Sequence, residues 1–296
     1  MWFMVLTTQT GSTLGGAKRS PASRLPLLLR HPRPGWPRDV SVFSEPTDPS
    51  RGIFRQKMSR AASQQPWELS GNAKRERVYS IFASITPTYD LMNSVMSLKL
   101  HHRWRGAAVA LLDLRPGARV LDLCCGTGDF AFPLRDAVGA NGAVVGLDFA
   151  EAMLRRAREK GARMTPALGD ACAIPFADGS FDAVTVGWGL RNVPDLDTCL
   201  SEAYRVLKPG GQLISVDMAL PTATIPRAFA LLVHRALIPT LGTLVGKRQE
   251  YTYLSRSTEQ FDSPEVLAAR MERYGFRKPV VRRLFLGNIA IVRVER

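Results

Sequence analysis

Four acids and a glycine-rich turn carry the chemistry most directly legible in this chain. Val120-Leu121-Asp122-Leu123-Cys124-Cys125-Gly126-Thr127-Gly128-Asp129 starts as a short apolar run and ends as a turn that opens a helix. Glycines at such a strand-to-helix turn let the backbone approach a ligand closely. The stretch also satisfies G-x-G-x-x-A through Gly126, Gly128 and Ala131, so a dinucleotide is the first ligand to weigh. Charge argues against it. A pyrophosphate would rest on the helix N-terminus, facing the carboxylates of Asp122 and Asp129. Those acids, with Thr127 between the glycines, suit a ligand that carries an ammonium and a sulfonium but no phosphate, which describes S-adenosyl-L-methionine. Asp148, about 20 residues further on, is placed to accept both ribose hydroxyls. Asp170 can reach the adenine amine, with the Ala171 backbone N–H toward a ring nitrogen. A lone Asp at a strand end is often only a turn former, but capping does not account for the whole ordered series.

These residues need a scaffold that delivers strand ends side by side. Short apolar runs at 118–123, 143–147, 163–168, 183–186 and 212–218 read as buried strands. Helical spacing fills the intervals at 129–138, 151–160 and 196–207, the last stopped by Pro209-Gly210-Gly211. That alternation means an α/β, Rossmann-like, mostly parallel doubly wound sheet. Upstream, 72–83 and 101–112 read as helices, the first broken by Pro87. Downstream, 225–244 reads as two short helices broken at Pro239, and 263–274 as a helix ended by Gly275. Runs at 280–286 and 289–294 flank Gly287-Asn288, a two-residue hairpin turn. A closing antiparallel hairpin on a parallel sheet is shared with class I methyltransferases, an analogy of fold only.

The net charge of +14 belongs half to residues 1–60, which hold 10 Lys/Arg against 3 Asp/Glu. This Arg-, Ser- and Pro-rich segment resembles an organelle transit peptide. It also reads as a disordered tail without an address, or as sequence preceding a true start at Met58. The expected organisation is therefore a disordered transit-like extension (1–60), a helical lid (61–115) and a cofactor-binding domain (116–296). No apolar run approaches the ~18 to 20 residues of a membrane span. Cys124, Cys125, Cys172 and Cys199 form no C-x-x-C pair, so neither a disulfide framework nor a metal site is indicated.

Tyr89-Asp90-Leu91-Met92-Asn93-Ser94-Val95-Met96-Ser97-Leu98-Lys99-Leu100-His101-His102-Arg103-Trp104 matches, at every fixed position, the signature Y-D-x-M-N-x-x-[aliphatic]-S-x-x-x-H-x-x-W. Gly189-Leu190-Arg191-Asn192-Val193 and Arg205-Val206-Leu207-Lys208-Pro209-Gly210-Gly211 add two further stretches. On these residues the chain, from about Val78 onward, resembles the ubiquinone/menaquinone C-methyltransferases. Asp217, Ala219 and Gly187 depart from the usual Glu, Ser and Ser, which loosens the substrate assignment. The resemblance implies an S-adenosylmethionine-dependent enzyme that methylates a ring carbon of a prenylated quinol, with Gly187 near the cofactor. It places Tyr89, His101, Arg191 and Asn192 at the reacting centre. Tyr89, Asp90, Asn93 and His101 would position the quinol oxygens, and Arg191 would stabilise a phenolate or polarise a water. Arginine stays protonated and is not itself the base. A plainer reading makes the signature an ordinary helical lid and Arg191 a salt-bridge partner.

Residues 228–232 and 237–244, with Tyr251 and Tyr253, could wall a path for the lipid tail or simply pack on the sheet. Association with a membrane periphery is expected because the substrate lives there. The Cys124-Cys125 form of the loop and the lack of insertions resemble the plastid and bacterial naphthoquinone enzymes more than the mitochondrial ubiquinone ones, and with the transit-like segment that resemblance implies a chloroplast demethylphylloquinone methyltransferase. A mitochondrial enzyme acting on a 2-methoxy-6-polyprenyl-1,4-benzoquinol is the second reading. A nucleic-acid methyltransferase is disfavoured, because Gly187-Trp188-Gly189-Leu190 replaces [D/N]-P-P-[aromatic] after the fourth strand. A non-catalytic cofactor-binding subunit is disfavoured by the intact acids and lid signature.

Overall fold

The computed structural model describes residues 66–296. The extension 1–60, expected to be transit-like, lies outside them. Three helices come first: α1 (Gly71–Ile85), α2 (Tyr89–Met96) and α3 (Leu100–Val109). Pro87 sits in a 3₁₀ turn between α1 and α2 and separates them as expected. Then strands and helices alternate: β1 (Arg119–Leu123), α4 (Ala131–Val138), β2 (Ala143–Asp148), α5 (Glu151–Glu159), β3 (Thr165–Leu168), β4 (Phe181–Gly187), α6 (Leu196–Val206) and β5 (Leu207–Met218). After α7 (Thr224–Leu232), α8 (Ile238–Leu244), α9 (Arg248–Gln260) and α10 (Pro264–Arg273) come β6 (Arg277–Leu284) and β7 (Ile289–Glu295).

The strands form one seven-stranded sheet in the order β3-β2-β1-β4-β5-β7-β6. The first five are parallel; β7 is antiparallel to β5 and β6. This is the doubly wound sheet with an antiparallel closing hairpin that the alternation pointed to. The order reverses at β1, whose neighbours β2 and β4 lie on either side, and open α/β sheets bind ligands at that switch point.

Alternation along β1 decides which side chain does what. Leu121 and Leu123 join a core with α6 and α10 on one face. Val120 joins a second core with α3 and α4 on the other, so Asp122, two residues on, points to the α3–α4 side. A third core ties Val78, Ile81 and Ile85 of α1 and Met92 of α2 to Met153 of α5, Ile238 of α8 and Tyr251 and Tyr253 of α9. Helices α1 and α2 thus form one roof with α8 and α9 over the C-terminal strand ends.

Three local expectations are corrected. Residues 225–244 do not break at Pro239: the helical path continues through a π-helical turn, Val233–Leu237, where the Ile238 N–H reaches back five residues to the Val233 carbonyl. The wider turn accommodates the ring of Pro239 and its missing N–H without breaking the helical path. Pro209-Gly210-Gly211 does not merely stop α6; it forms an outward bulge in β5, whose register on β4 jumps between Leu207 and Gln212. The hairpin does not close on Gly287-Asn288 alone. Phe285–Gly287 makes a 3₁₀ turn with Leu286 left-handed, and Phe285 packs on Trp104 with ring centroids 5.8 Å apart.

Candidate active site

Two cavities open at the strand ends and share walls. The smaller, about 650 Å³, is bordered by Gly126, Asp148, Asp170, Ala171, Gly187 and Asn192, under a roof made by Arg75, Val78 and Phe82 of α1. A narrow recess of about 280 Å³ adjoins it between Asp122, Gly126, Thr127, Asp129 and Gly187, with Tyr89 and Arg105 opposite. The larger cavity, about 1230 Å³, lies between α2–α3, the α7–α8 region and the β6–β7 loop. Tyr89 borders all three spaces.

The turn after β1 is built as its sequence required. Cys124 and Gly126 take left-handed φ values of 55° and 54°, and a Cβ on Gly126 would meet nothing within 4 Å. That glycine keeps a face open to a ligand. Gly128, at φ 78°, does a different job: a Cβ there would stand 2.7 Å from that of Ala162, so it allows close packing of the loop and borders neither cavity.

The acids divide into two kinds. Asp148 accepts the Gly126 N–H at 2.8 Å and the Ala150 N–H at 2.9 Å, and burial raises its pKa to about 6. Asp122 accepts the Thr185 hydroxyl at 2.8 Å, its second oxygen is buried without a partner, and burial raises its pKa to about 7. Both favour a ligand that brings donors or positive charge. Asp129 and Asp170 are already paired. Lys160 Nζ donates to Asp129 at 2.6 Å, with Arg105 Nη2 at 3.5 Å. Burial opposes ionisation of Asp129, but Arg105 and Lys160 outweigh it and hold the carboxyl below its usual range. Asp170 binds Arg75 of α1 and accepts the Cys172 N–H at 2.8 Å. Asp129 therefore positions cations of the protein, while Asp122 faces the recess.

Asp90, expected near the substrate, turns away from it. It accepts Thr127 Oγ1 at 2.7 Å, Lys160 Nζ at 2.9 Å and Arg156 Nε at 3.1 Å, clamping α2 to the donor loop. His101 does border the large cavity. Its Nδ1 lies 2.7 Å from Arg105 Nη1, and a guanidinium can only donate, so the ring proton sits on Nε2. Nε2 is buried and has no hydrogen-bond partner among the described residues. Burial and then Arg105 lower the His101 pKa to about 4, so it presents a neutral N–H donor.

Arg191, in a 3₁₀ turn after β4, also borders the large cavity and is bound to buried Asp217. The salt-bridge reading of Arg191 and its placement at the cavity thus hold together. Burial raises the Asp217 pKa against the pull of Arg191. Asn192, the next residue, faces the smaller cavity, its amide donating to the Trp188 carbonyl at 2.9 Å. Tyr251 and Tyr253 are buried in the third core and border neither cavity. Phe229, Ala230 and Ile238 do border the large one. Sequence reading missed Arg105, although it lies one helical turn beyond His101 on the same face. It also missed Arg75, Lys160 and Trp188, whose partners are distant in sequence. His101, His102 and Asp129 come together as metal ligands could, but Arg105 and Lys160 already occupy the cluster.

The fold, the open Gly126 and the two unpaired acids define a class I S-adenosylmethionine-dependent methyltransferase. Residues 70–294 match the model of the ubiE/COQ5 methyltransferase family, and the chain belongs to that family. Among similar proteins is the demethylmenaquinone methyltransferase of Desulfitobacterium hafniense, 41% identical over 232 residues, which are 76% of this chain and 92% of that one. The protein of that name from Listeria monocytogenes is 42% identical over 212 residues, covering 69% and 88%. A solved structure from Thermotoga maritima, an S-adenosylmethionine-dependent methyltransferase described as a possible histamine N-methyltransferase, shares the fold. Its TM-score is 0.55 at 23% identity, over 74% of this chain and 99% of that one.

A cationic ligand favours ionised Asp122 and Asp148, so binding it releases protons that those groups hold in the free protein. Affinity for S-adenosylmethionine, measured by calorimetry, should be weakest near pH 5 and tighten as pH rises through about 6 and 7. Asp122→Asn should flatten the upper part of that rise; a flat profile in the unaltered protein would refute the assignment of both acids.

Proposed function

We propose that this methyltransferase methylates a ring carbon of a prenylated 1,4-quinol, and that the quinol is demethylphylloquinol. The observation that carries the first part is the character of the large cavity. Among the described residues two arginines and two histidines border it, no Asp or Glu does, and most of its wall is apolar: Met96, Trp104, Met218, Phe229, Val233, Ile238 and others. Such a space repels an amine and suits a ring that becomes an anion and trails a hydrocarbon tail. The demethylmenaquinone methyltransferases among the similar proteins support a naphthoquinol. The Arg-rich, acid-poor composition of residues 1–60 supports a chloroplast address, with a mitochondrion and a benzoquinol as the second reading.

S-adenosylmethionine, bound in the smaller cavity, supplies an electrophilic methyl group. The protein's task is to make the facing ring carbon electron-rich. His101 Nε2–H and the Arg191 guanidinium stabilise the oxyanion left when a ring hydroxyl loses its proton. No carboxylate borders the cavity and His101 is a poor base, so the proton passes to water. Tyr89, on the wall common to all three spaces, orients the ring where the cavities meet; burial raises its pKa and keeps it a donor. Phe82 and Trp188 border both main cavities and exclude bulk water from the junction.

The rim of the large cavity supports docking on an anionic membrane surface. Leu98 and Leu286, about three-quarters exposed, hold left-handed φ values of 51° and 56°, a conformation that costs about 1–3 kcal/mol for such residues. Ile225, Phe229 and Leu232 expose one face of α7. Segments 97–104, 219–237 and 282–288 contain Lys99, Arg103, Arg227, Arg235, Arg282 and Arg283 but no Asp or Glu; of these, Arg235 pairs with Glu259 and Arg283 with Glu265. Among the described residues no helix is long and apolar enough to cross a membrane.

Incubated with labelled S-adenosylmethionine, the full chain should transfer label to reduced demethylphylloquinone and not to 2-methoxy-6-polyprenyl-1,4-benzoquinol. Label in the benzoquinol alone would move the protein to the second reading, and label in neither would refute the quinol assignment. Arg191→Met, made together with Asp217→Asn so that no buried carboxylate is left unpaired, should lower kcat about 10²-fold without changing cofactor affinity. Cosedimentation with vesicles containing an anionic lipid should fall for Leu98→Asp/Leu286→Asp; retention equal to the unaltered protein would count against this docking face.

A further inference from the structure

The polar groups around the large cavity fall on two sides. One side is that of the glycine-rich loop, where Asp129 holds Arg105 and Arg105 holds His101. The other lies at the end of β5. There the Ala219 N–H donates to the Asn288 carbonyl at 2.9 Å, and His234 faces Asn288. His234 is the one polar side chain that the α7–α8 region contributes to a wall otherwise made of Pro226, Phe229, Ala230, Val233 and Ile238. It is fully buried. Its Nε2 lies 3.4 Å from Asn288 Oδ1, at the far limit of a hydrogen bond. Its other polar contact is the Ser255 backbone, and an imidazole so lightly held in an apolar wall gains from a ligand that completes its bonding.

The backbone is also unusual at this residue. His234 sits inside the π-helical turn Val233–Leu237, and isolated π turns within α-helices occur frequently at functional sites. Burial, and then the charge of Arg191, oppose its protonation. A neutral imidazole has one donor and one acceptor nitrogen, so in either tautomer it can pair with a hydroxyl.

We propose that His234, with Asn288 beside it, is the subsite for the second hydroxyl of a 1,4-dihydroxyarene, the one para to the oxygen served by His101. The inference rests on the quinol reading and sharpens it. One hydroxyl, deprotonated to water, drives attack of its ortho carbon on the methyl group; that carbon then passes its hydrogen as a proton, through water, to the oxygen, and the ring is aromatic again. The other hydroxyl anchors the far end of the ring on the α7–α8 wall. The site thereby selects a para-diol over a simple phenol. The residue acts by positioning the ring, and a site built to bond a hydroxyl rejects the analogue that lacks it.

The test compares a prenylated demethyl-1,4-naphthoquinol with the matching prenylated 1-naphthol, which lacks only the second hydroxyl. Both are assayed as kcat/KM in the unaltered full chain, His234→Phe and His234→Gln, with S-adenosylmethionine binding as the check on folding. The ratio of the two substrates in each variant, relative to the unaltered chain, cancels their intrinsic reactivities. The diol should be preferred at least about tenfold more in the unaltered protein than in His234→Phe, equivalent to about 1.4 kcal/mol. His234→Gln should restore part of the preference. Equal loss on both substrates, or an unchanged ratio, would overturn the subsite while leaving the methyltransferase reading intact. Methylation of neither arene by the unaltered chain would remove the quinol reading and this inference together, and would be seen before any variant is compared.

Discussion

The site depends on one buried carboxylate. Asp129 lies at the mouth of α4 and holds Lys160, which follows α5, together with Arg105 of α3. Arg105 in turn fixes the tautomer of His101 and lies 4.5 Å over the Trp188 ring. Lys160 reaches on to Asp90 and Thr127, fastening α2 to the donor loop. Removing one member of such a buried set leaves the others as uncompensated charges, at a cost of about 3–5 kcal/mol. The roof, the glycine-rich loop and the proton on His101 are therefore set by the same ions.

That arrangement divides the strand-end acids by task. Asp129 and Asp170 are neutralised by Lys160, Arg105 and Arg75, all supplied by helices that cover the sheet, and so they assemble the roof. Asp122 and Asp148 accept hydrogen bonds from neutral donors, Arg105 standing across the recess from Asp122 without bonding it, which leaves their charge for the ligand. Four chemically identical side chains in similar places thus do two different things. Their neighbours decide which.

The sheet was legible because buried parallel strands are short, apolar and bounded by turns, and each strand end here is marked by Gly or Asp. The cofactor loop was legible for the same reason. What sequence could not show were contacts between distant segments: Arg75 with Asp170, Lys160 with Asp129, Arg191 with Asp217. Asp90 was misplaced because its family signature reveals nearness to the donor loop but not which way a helix turns its carboxylate. The π turn at Val233–Leu237 leaves no local signal either, since Val-His-Arg-Ala-Leu has ordinary helical composition. Tyr251 and Tyr253, read as possible walls of a lipid path, are core because α9 packs them beneath the roof.

Phe82, Tyr89 and Trp188 serve as walls to both main cavities at once. A partition made of side chains has no independent thickness, so its position is a single variable common to the two compartments. Whatever one occupant does to that position alters the free energy of the other's binding. Such linkage is reciprocal by thermodynamic necessity. A donor that settles the three rings into place raises the affinity for the acceptor by the factor with which the acceptor then retains the donor. When the methyl group has moved and both occupants have changed shape, the same coupling acts on their departure.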